Sequence, residues 1–164
     1  MAFKIYRLED KDIDIHLKDL YALNQANTPA VGSIESVKLF KSLLLLANIN
    51  LLIKQNNTLV GFLVSMRDNS TYTSLNYQYF AAKYKKFIYI DRIAIRSDKR
   101  QKGAGKALYE ALYSLSSDIV CCEVNTIPKN QASIDFHKSM GFLEEGNQDF
   151  DDGHSVVYLT KSSD

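Results

Sequence analysis

One segment near the middle of the chain, Tyr89 to Leu115, constrains the fold more than any other. It begins with residues of alternating character, Tyr89 to Ile95, which is typical of a strand. A short polar turn follows, and small and apolar residues then recur at helical spacing: Ala107, Leu108, Ala111, Leu112 and Leu115. The segment therefore predicts a strand, a turn and a helix with one buried face.

The turn of this segment carries an unusual charge for the start of a helix. Unpaired backbone N–H groups give a helix N-terminus partial positive charge, so acidic side chains are favoured there. Gly103 and Gly105 present no side chain, so a phosphate can approach the N–H groups directly. Basic, glycine-bearing turns also occur without any function, so the turn alone leaves both interpretations open. Four cationic side chains crowd it: Lys99, Arg100, Lys102 and Lys106.

Two common phosphate-binding motifs do not match the turn. The chain has no GxxxxGKS/T sequence, and the GxGxxG pattern is incomplete because Leu108 stands in the place of its third glycine.

Length, charge and apolar runs limit the class of protein. The 164 residues, 46% hydrophobic and 24% charged, predict one domain over residues 1–164 with its own core. A formal net charge of +1 gives no reason to expect general nucleic-acid binding. Leu43 to Ile53 is too short to span a bilayer, and Met1 to Asp10 lacks the apolar core of a signal peptide. We therefore expect a cytoplasmic protein that does not contact a membrane.

The cysteine and histidine residues are not spaced as the ligands of a metal site. Cys121 and Cys122 are adjacent in a predicted strand, where neighbouring side chains point to opposite faces, so we expect reduced core thiols. His16 and His154 show no ligand spacing, and no metal is expected.

The remaining elements follow from periodicity and turn residues. The third strand, LVGFLVSM, is apolar without alternation, which indicates that helices cover both faces of the sheet. Residues 67–86 are polar and tyrosine-rich, and we expect a flap there, with one helical turn near Asn76 to Lys83. An α/β fold results, whose other elements are predicted at Phe3–Leu8, Asp12–Ala26, Ser33–Ala47, Asn50–Lys54, Leu59–Met66, Ile119–Asn125, Asn130–Ser139, Phe142–Phe150 and Ser155–Thr160.

Two motifs together resemble a known family. RQKGAG, Arg100 to Gly105, resembles the R/Q-x-x-G-x-G/A signature of the GNAT superfamily of N-acetyltransferases. NQASIDFHKSMGF, Asn130 to Phe142, resembles the second motif of that family, in the same order and at a matching separation. The resemblance implies a single-domain fold with a mixed, mostly antiparallel seven-stranded sheet, splayed between its fourth and fifth strands, with helices on both faces. It also implies acetyl-CoA as the co-substrate, lying in the cleft of the splay.

The resemblance assigns the cofactor-binding residues by position. Ile93, Ala94 and Ile95 would pair their backbone with the pantetheine arm, and Asn130 would bond the same arm from the other side. His137 stands where the family carries the tyrosine that serves as proton donor. The pyrophosphate would lie on the turn, held mainly by backbone N–H groups of Arg100, Gln101, Lys102, Gly103, Ala104, Gly105 and Lys106.

The chemistry of acetyl transfer requires a group that accepts the proton of the attacking amine. Glu123 and Asp91 are the carboxylates on the two strands that border the cleft, and both remain candidates for this base. Glu123 lies in CEV, which resembles the LEV of ribosomal-protein-type acetyltransferases. Strand alternation places Asp91 on the same face as Tyr89 and Ile93, and Arg92 on the opposite face.

The departing thiolate requires a proton as well. A neutral imidazole at His137 can donate a hydrogen bond to sulfur, and its ordinary pKa of about 6.5 favours exchange with solvent. The alternatives are that His137 only orients the thioester, or that Tyr109 or a tyrosine of residues 72–84 donates the proton.

The acceptor is expected to be a primary amine of a small molecule or peptide. Asp149, Asp151 and Asp152 cluster at the last predicted hairpin and could attract an amine, but a solvated turn explains them equally well. Two other functions remain open: an acyl-CoA-binding sensor without catalysis, and a nucleotide or phosphopeptide module that uses only the basic turn. The sequence also leaves a homodimer open.

Overall fold

The computed structural model describes residues 2–163 as one seven-stranded sheet flanked by helices. Short 3-10 turns lie at Asp10–Asp12 and Ser97–Lys99. The strands are β1 (Lys4–Arg7), β2 (Ile49–Gln55), β3 (Thr58–Arg67), β4 (Phe87–Ile95), β5 (Ile119–Ile127), β6 (Leu143–Asp149) and β7 (Ser155–Lys161). The helices are α1 (Ile13–Ala26), α2 (Val37–Leu46), α3 (Leu75–Lys83), α4 (Ala104–Leu115) and α5 (Gln131–Ser139).

The sheet has the strand order β1-β2-β3-β4-β5-β7-β6. Its neighbours are antiparallel except for β4 and β5, which run parallel. That parallel pair is short, because it extends only from Phe87 opposite Ile119 to Tyr89 opposite Cys121. Beyond this point the two strands separate, which leaves the facing edges of residues 90–95 and 122–127 unpaired with each other. The splayed, mixed α/β fold expected from the sequence is confirmed.

Helices cover both faces of the sheet. On one face α1, α2 and α3 pack on a core that includes Phe40, Phe62 and Phe80, all buried. On the other face α4 and α5 pack on a second core that includes Leu63 and Leu108. Strand β3 contributes to both cores, as its unbroken apolar sequence predicts.

Residues 67–86 do not form the predicted flap. The polar, tyrosine-rich stretch contains helix α3, whose N-terminus is capped by Ser74. Tyr77 and Phe80 are only 2% and 0% exposed, so α3 is part of the core. The Tyr77 hydroxyl donates to the Arg67 backbone oxygen at 2.6 Å. A buried tyrosine whose hydroxyl group is hydrogen-bonded is compatible with a core. The polar composition of this stretch therefore did not indicate that its helix would be buried.

A β-bulge in β4 overturns the predicted alternation of that strand. Ile90 pairs with Ser65 and Arg92 pairs with Val64, so Asp91 is an extra residue with no partner on β3. Tyr89 consequently packs in the core beneath α1 and α3, whereas Ile93 packs against the core beneath α4. Asp91 and Arg92 contact each other rather than pointing to opposite faces. The prediction that Asp91 shares a face with Ile93 was wrong, because an inserted residue reverses the alternation beyond it.

Candidate active site

The separated ends of β4 and β5 enclose a cavity of about 430 Å³. Further lining comes from the loop between α1 and α2, the start of α3, helix α5 and strand β7. The cavity brings together five of the residues singled out in the sequence, which are Asp91, Ile93, Glu123, Asn130 and His137. The turn from Arg100 to Lys106 does not line it but lies beside it, because Arg100 bonds to Asn27 of the lining.

Glu123 lies on β5 and its carboxylate faces the cavity. The Tyr89 hydroxyl, from a residue that is 0% exposed, donates a short hydrogen bond to Glu123 Oε1. Burial raises the pKa of Glu123 to about 8, the negative charge of Asp91 adds to the rise, and the Tyr89 hydrogen bond opposes it. The carboxyl group therefore changes charge near neutral pH, which is the range suited to a general base.

Both carboxylate oxygens of Asp91 have partners inside the protein. The Tyr72 hydroxyl donates to Oδ1 at 2.6 Å, and Arg92 Nε donates to Oδ2 at 2.7 Å. The Asp91 side chain is only 6% exposed. A carboxylate held this way stabilises its neighbours, but it is less available than Glu123 to accept a proton from a ligand.

His137 lies on α5 with both ring nitrogens engaged. Nδ1 is 2.7 Å from the Ser133 backbone oxygen, which can only accept, so Nδ1 carries the proton. Burial lowers the pKa of His137, so the ring is neutral at physiological pH and Nε2 is an acceptor. The Tyr109 hydroxyl, 2.5 Å from Nε2, therefore donates to it. The role of His137 as proton donor stays a prediction. The ring proton of His137 is held by the Ser133 backbone oxygen, and the proton between Tyr109 and His137 Nε2 belongs to Tyr109.

The turn before α4 has the backbone geometry of an anion site. Gln101 and Gly103 adopt positive φ values of 61° and 91°, and Gly103 is the N-cap of α4 without a side-chain capping bond. The first N–H groups of the helix are therefore not satisfied by a cap. Gly105 has a packing role too, because a Cβ at this position would lie 3.0 Å from the Phe136 ring.

The side chains of the turn are engaged to different degrees. Arg100 bridges two elements, with Nη2 bonded to Asn27 Oδ1 at 2.5 Å and Nε to the Ile95 backbone oxygen at 3.3 Å. Lys106 forms a weak ion pair with Glu110 at 3.9 Å, and both side chains are well exposed. Ala104 is buried against the second core.

The predicted contacts of the pantetheine arm lie along the two sides of the splay. Ile93 lines the cavity, Ala94 is buried beneath α1 and Ile95 packs toward α4. Asn130 caps α5, where its Oδ1 accepts from the Ser133 N–H at 3.2 Å. Its Nδ2 has no hydrogen-bond acceptor within residues 2–163 and is left for a ligand.

Four residues of the site were not assigned in advance. Tyr89 holds Glu123, Tyr72 holds Asp91, Ser133 fixes the tautomer of His137, and Arg92 lines the cavity. Ser133 alone had a local signal, because it lies four residues before His137 on the same helix. The others depend on pairing between distant segments and on the β4 bulge.

Comparison with known families identifies the class of protein. The model of the acetyltransferase (GNAT) family matches residues 17–142. The chain belongs to this family and is an acyltransferase that transfers acetyl groups. The sequence matches no curated protein.

Solved structures share the fold over nearly the whole chain. The ribosomal-protein-S18-alanine N-acetyltransferase from Escherichia coli is 22% identical with a TM-score of 0.69, covering 99% of this chain and 94% of that one. Ard1 from Thermoplasma volcanium is 20% identical with a TM-score of 0.73, covering 99% and 98%. Arabidopsis thaliana NAA60, solved in complex with acetyl-CoA, is 14% identical with a TM-score of 0.72, covering 98% of both chains.

The described residues contain neither a membrane-spanning helix nor a cluster of metal ligands. Across residues 2–163 no helix combines the length and apolar character needed to cross a bilayer, and a cytoplasmic location stays a prediction. Within the same residues, three or more His, Cys, Asp or Glu side chains do not come together to hold a metal ion. Cys121 and Cys122 are free and buried, and burial raises the pKa of the Cys122 thiol well above its ordinary value.

Proposed function

We propose that the protein moves an acetyl group from acetyl-CoA directly to a primary amine of a small molecule or peptide, with Glu123 as the general base. The observation that carries the proposal is the position of Glu123 in the cavity, hydrogen-bonded by Tyr89 and with its pKa raised to about 8. A carboxyl group tuned in this way is of use to a transferase and has no evident use in a sensor that only binds acyl-CoA.

The base step follows from the charges of the two groups. An alkyl ammonium has a pKa of about 10, so the amine must lose a proton before it can attack. A carboxylate with a raised pKa accepts that proton more readily than an ordinary glutamate. The negative charge of Asp91, which is bonded to Tyr72 and Arg92, raises the pKa of Glu123 and thereby favours proton uptake there.

Three features fit acetyl-CoA, which supplies the acetyl thioester. The uncapped start of α4, with Gly103 at φ 91°, offers N–H groups to a pyrophosphate. The unpaired edge of β4 at Ile93, Ala94 and Ile95 offers backbone groups to the amides of the pantetheine arm. Asn130 offers its Nδ2 from the opposite side.

We assign the protonation of sulfur to Tyr109, positioned by His137. The Tyr109 hydroxyl, which donates to His137 Nε2 in the structure, turns toward sulfur and transfers its proton to the thiolate as the C–S bond breaks. The phenolate then takes up, through water in the cleft, the proton that the amine gave to Glu123. Burial raises the pKa of Tyr109 well above its ordinary value. The thiolate forms in the same water-poor cavity, where its own affinity for a proton rises as well.

The acidic hairpin does not support an amine site. Asp149 accepts a hydrogen bond from Ser155 at 2.7 Å, and Asp152 bonds to the backbone and ring of His154. Asp149 and Asp152 are therefore already bonded within their own hairpin, which supports the interpretation of a solvated turn. His154 itself lines the cavity.

The test is to incubate the protein with acetyl-CoA and a panel of primary amines while free thiol is followed. We expect thiol release with at least one amine, and a loss of about a hundredfold or more in Glu123→Gln. Glu144→Gln is the matched control, because Glu144 is exposed on β6 and lies outside the cavity. Full activity in Glu123→Gln would contradict the assignment of the base.

A second measurement tests the donor site. Coenzyme A should raise the melting temperature and ATP should not. Equal shifts would favour the module that uses only the basic turn, and tight coenzyme A binding without thiol release would favour the sensor.

A further inference from the structure

The guanidinium group of Arg92 is held rigidly at the wall of the cavity. Arg92 lies beside the β4 bulge and its side chain is only 11% exposed. Nε donates to Asp91 Oδ2 at 2.7 Å, and Nη1 donates to Asn24 Oδ1 at 2.8 Å and to the Gly32 backbone oxygen at 2.9 Å. Three of its five N–H groups are thereby bonded within the protein.

The remaining nitrogen of Arg92, Nη2, has two N–H groups without an acceptor among residues 2–163. Nη2 is not one of the fully buried unpaired atoms of these residues, so it is accessible to solvent. Arg92 lines the cavity together with Gly32, where a Cβ would lie 3.8 Å from Nη2. The open side of the guanidinium group therefore faces the cavity that also contains Glu123.

We propose that Arg92 Nη2 binds a carboxylate of the acceptor, and that the substrate is a small amine that carries a carboxylate. The inference rests on the proposed function and names its substrate class. A planar guanidinium group fixed by three bonds loses little freedom on binding, and its N–H groups match carboxylate oxygens.

The charges of the cavity suit such a substrate. Arg92 is paired with Asp91, and Glu123 stands on the facing strand. The amine lies toward Glu123, which accepts its proton, and the carboxylate lies toward the positively charged Arg92. A cavity of about 430 Å³ is of the size that small ligands occupy.

A purely structural role for Arg92 is the competing explanation. The bonds to Asn24 and Gly32 tie β4 to the loop between α1 and α2, and this clamp alone would account for Nε and Nη1. It does not account for Nη2. The two explanations differ in which substrates lose activity when Arg92 is replaced.

The experiment uses pairs of amines that differ only in the carboxylate, such as β-alanine and its amide. For the wild-type protein we expect kcat/KM to be about tenfold or more higher for the acid, the size of a charge-assisted hydrogen bond. The amide has the less basic amine, so more of it is neutral, and amine basicity therefore cannot produce a preference for the acid. This comparison needs no variant and is valid even if replacement of Arg92 impairs folding.

Arg92→Gln then separates recognition from structure. If Arg92 binds the carboxylate, the acid-to-amide ratio of kcat/KM should fall to near one in this variant. If only the structural clamp is lost, kcat/KM should fall by the same factor for both substrates, and the ratio should stay the same. Arg96→Gln is the matched control, because Arg96 is a partly exposed arginine just after β4 that is paired with Asp98. Equal use of acid and amide by the wild type, or an unchanged ratio in Arg92→Gln, would overturn the inference while leaving the transferase proposal intact. If no amine of either kind is acetylated, the proposed function and this inference both fail.

Discussion

Replacing Tyr89 by phenylalanine tests whether its hydroxyl tunes the base. The hydroxyl is buried and donates to the Glu123 carboxylate, so it stabilises the charged form. Without this bond the pKa of Glu123, now about 8, should rise further. A hydrogen bond to a charged group contributes about 1.5 to 3 kcal/mol, which corresponds to a rise of roughly one to two pKa units.

The consequence for activity depends on pH. With a pKa of about 8, about one tenth of Glu123 is ionised at pH 7, and a rise of about one unit reduces that share to about one hundredth. Tyr89→Phe should therefore lose about tenfold in kcat/KM at pH 7 and approach the wild type as pH rises above about 9. The assay is thiol release with a single amine across pH. Titration of the amine contributes equally to both proteins, so the difference isolates Glu123.

Tyr113→Phe provides the control for this experiment. The Tyr113 hydroxyl is buried without a hydrogen-bond partner among residues 2–163, so its removal changes the same chemical group without affecting Glu123. The reasoning predicts that the inflection of kcat/KM against pH moves to higher pH in Tyr89→Phe. It would be refuted if that inflection stayed in place or moved to lower pH. A loss of kcat/KM by the same factor at every pH would refute it as well.

Three further predictions concern the base, the acid and the donor site. Because the folded-state pKa of Glu123 is raised, the folded protein loses stability as pH rises from about 4.5 to 8. Glu123→Gln removes this ionisable group, so its melting temperature should exceed that of the wild type at pH 8.5 but not at pH 4. Scanning calorimetry measures both temperatures. His137→Phe and Tyr109→Phe should each lower kcat by more than about tenfold, with His16→Phe as control, and an unchanged kcat would discard the pair. Gly103→Ala should raise KM for acetyl-CoA severalfold, because a φ of 91° is strained for alanine. Gly153→Ala is the control: Gly153 has a φ of 92° in the β6–β7 turn, so the backbone cost is the same, but KM should not change.

The order of elements and the glycine-bearing basic turn before α4 were within reach of the sequence. Local periodicity and turn residues determine where helices and strands begin, and the turn from Arg100 to Gly105 is contiguous, so its features can be read without knowledge of the fold. Helix α3 was predicted only as one turn near Asn76 to Lys83, because Tyr77 counts as polar in the sequence although its hydroxyl group finds a partner inside the protein.

The contacts in the cavity wall could not be predicted from the sequence, for a different reason. The bond between Tyr89 and Glu123 joins residues 34 positions apart, and that between Arg92 and Asn24 joins residues 68 positions apart. No periodicity within either segment encodes such contacts. The bulge at Asp91 changes the face of every later residue of β4, and alternation within β4 alone does not indicate where an extra residue is accommodated.

That extra residue could be removed without disturbing the rest of the strand. If Asp91 were deleted, Ile90 would still pair with Ser65 and Arg92 with Val64, so every later residue of β4 would keep its present face. The cavity wall would lose only the carboxylate that accepts from Tyr72 and Arg92. A family member one residue shorter here would therefore keep the same sheet and lack this acid.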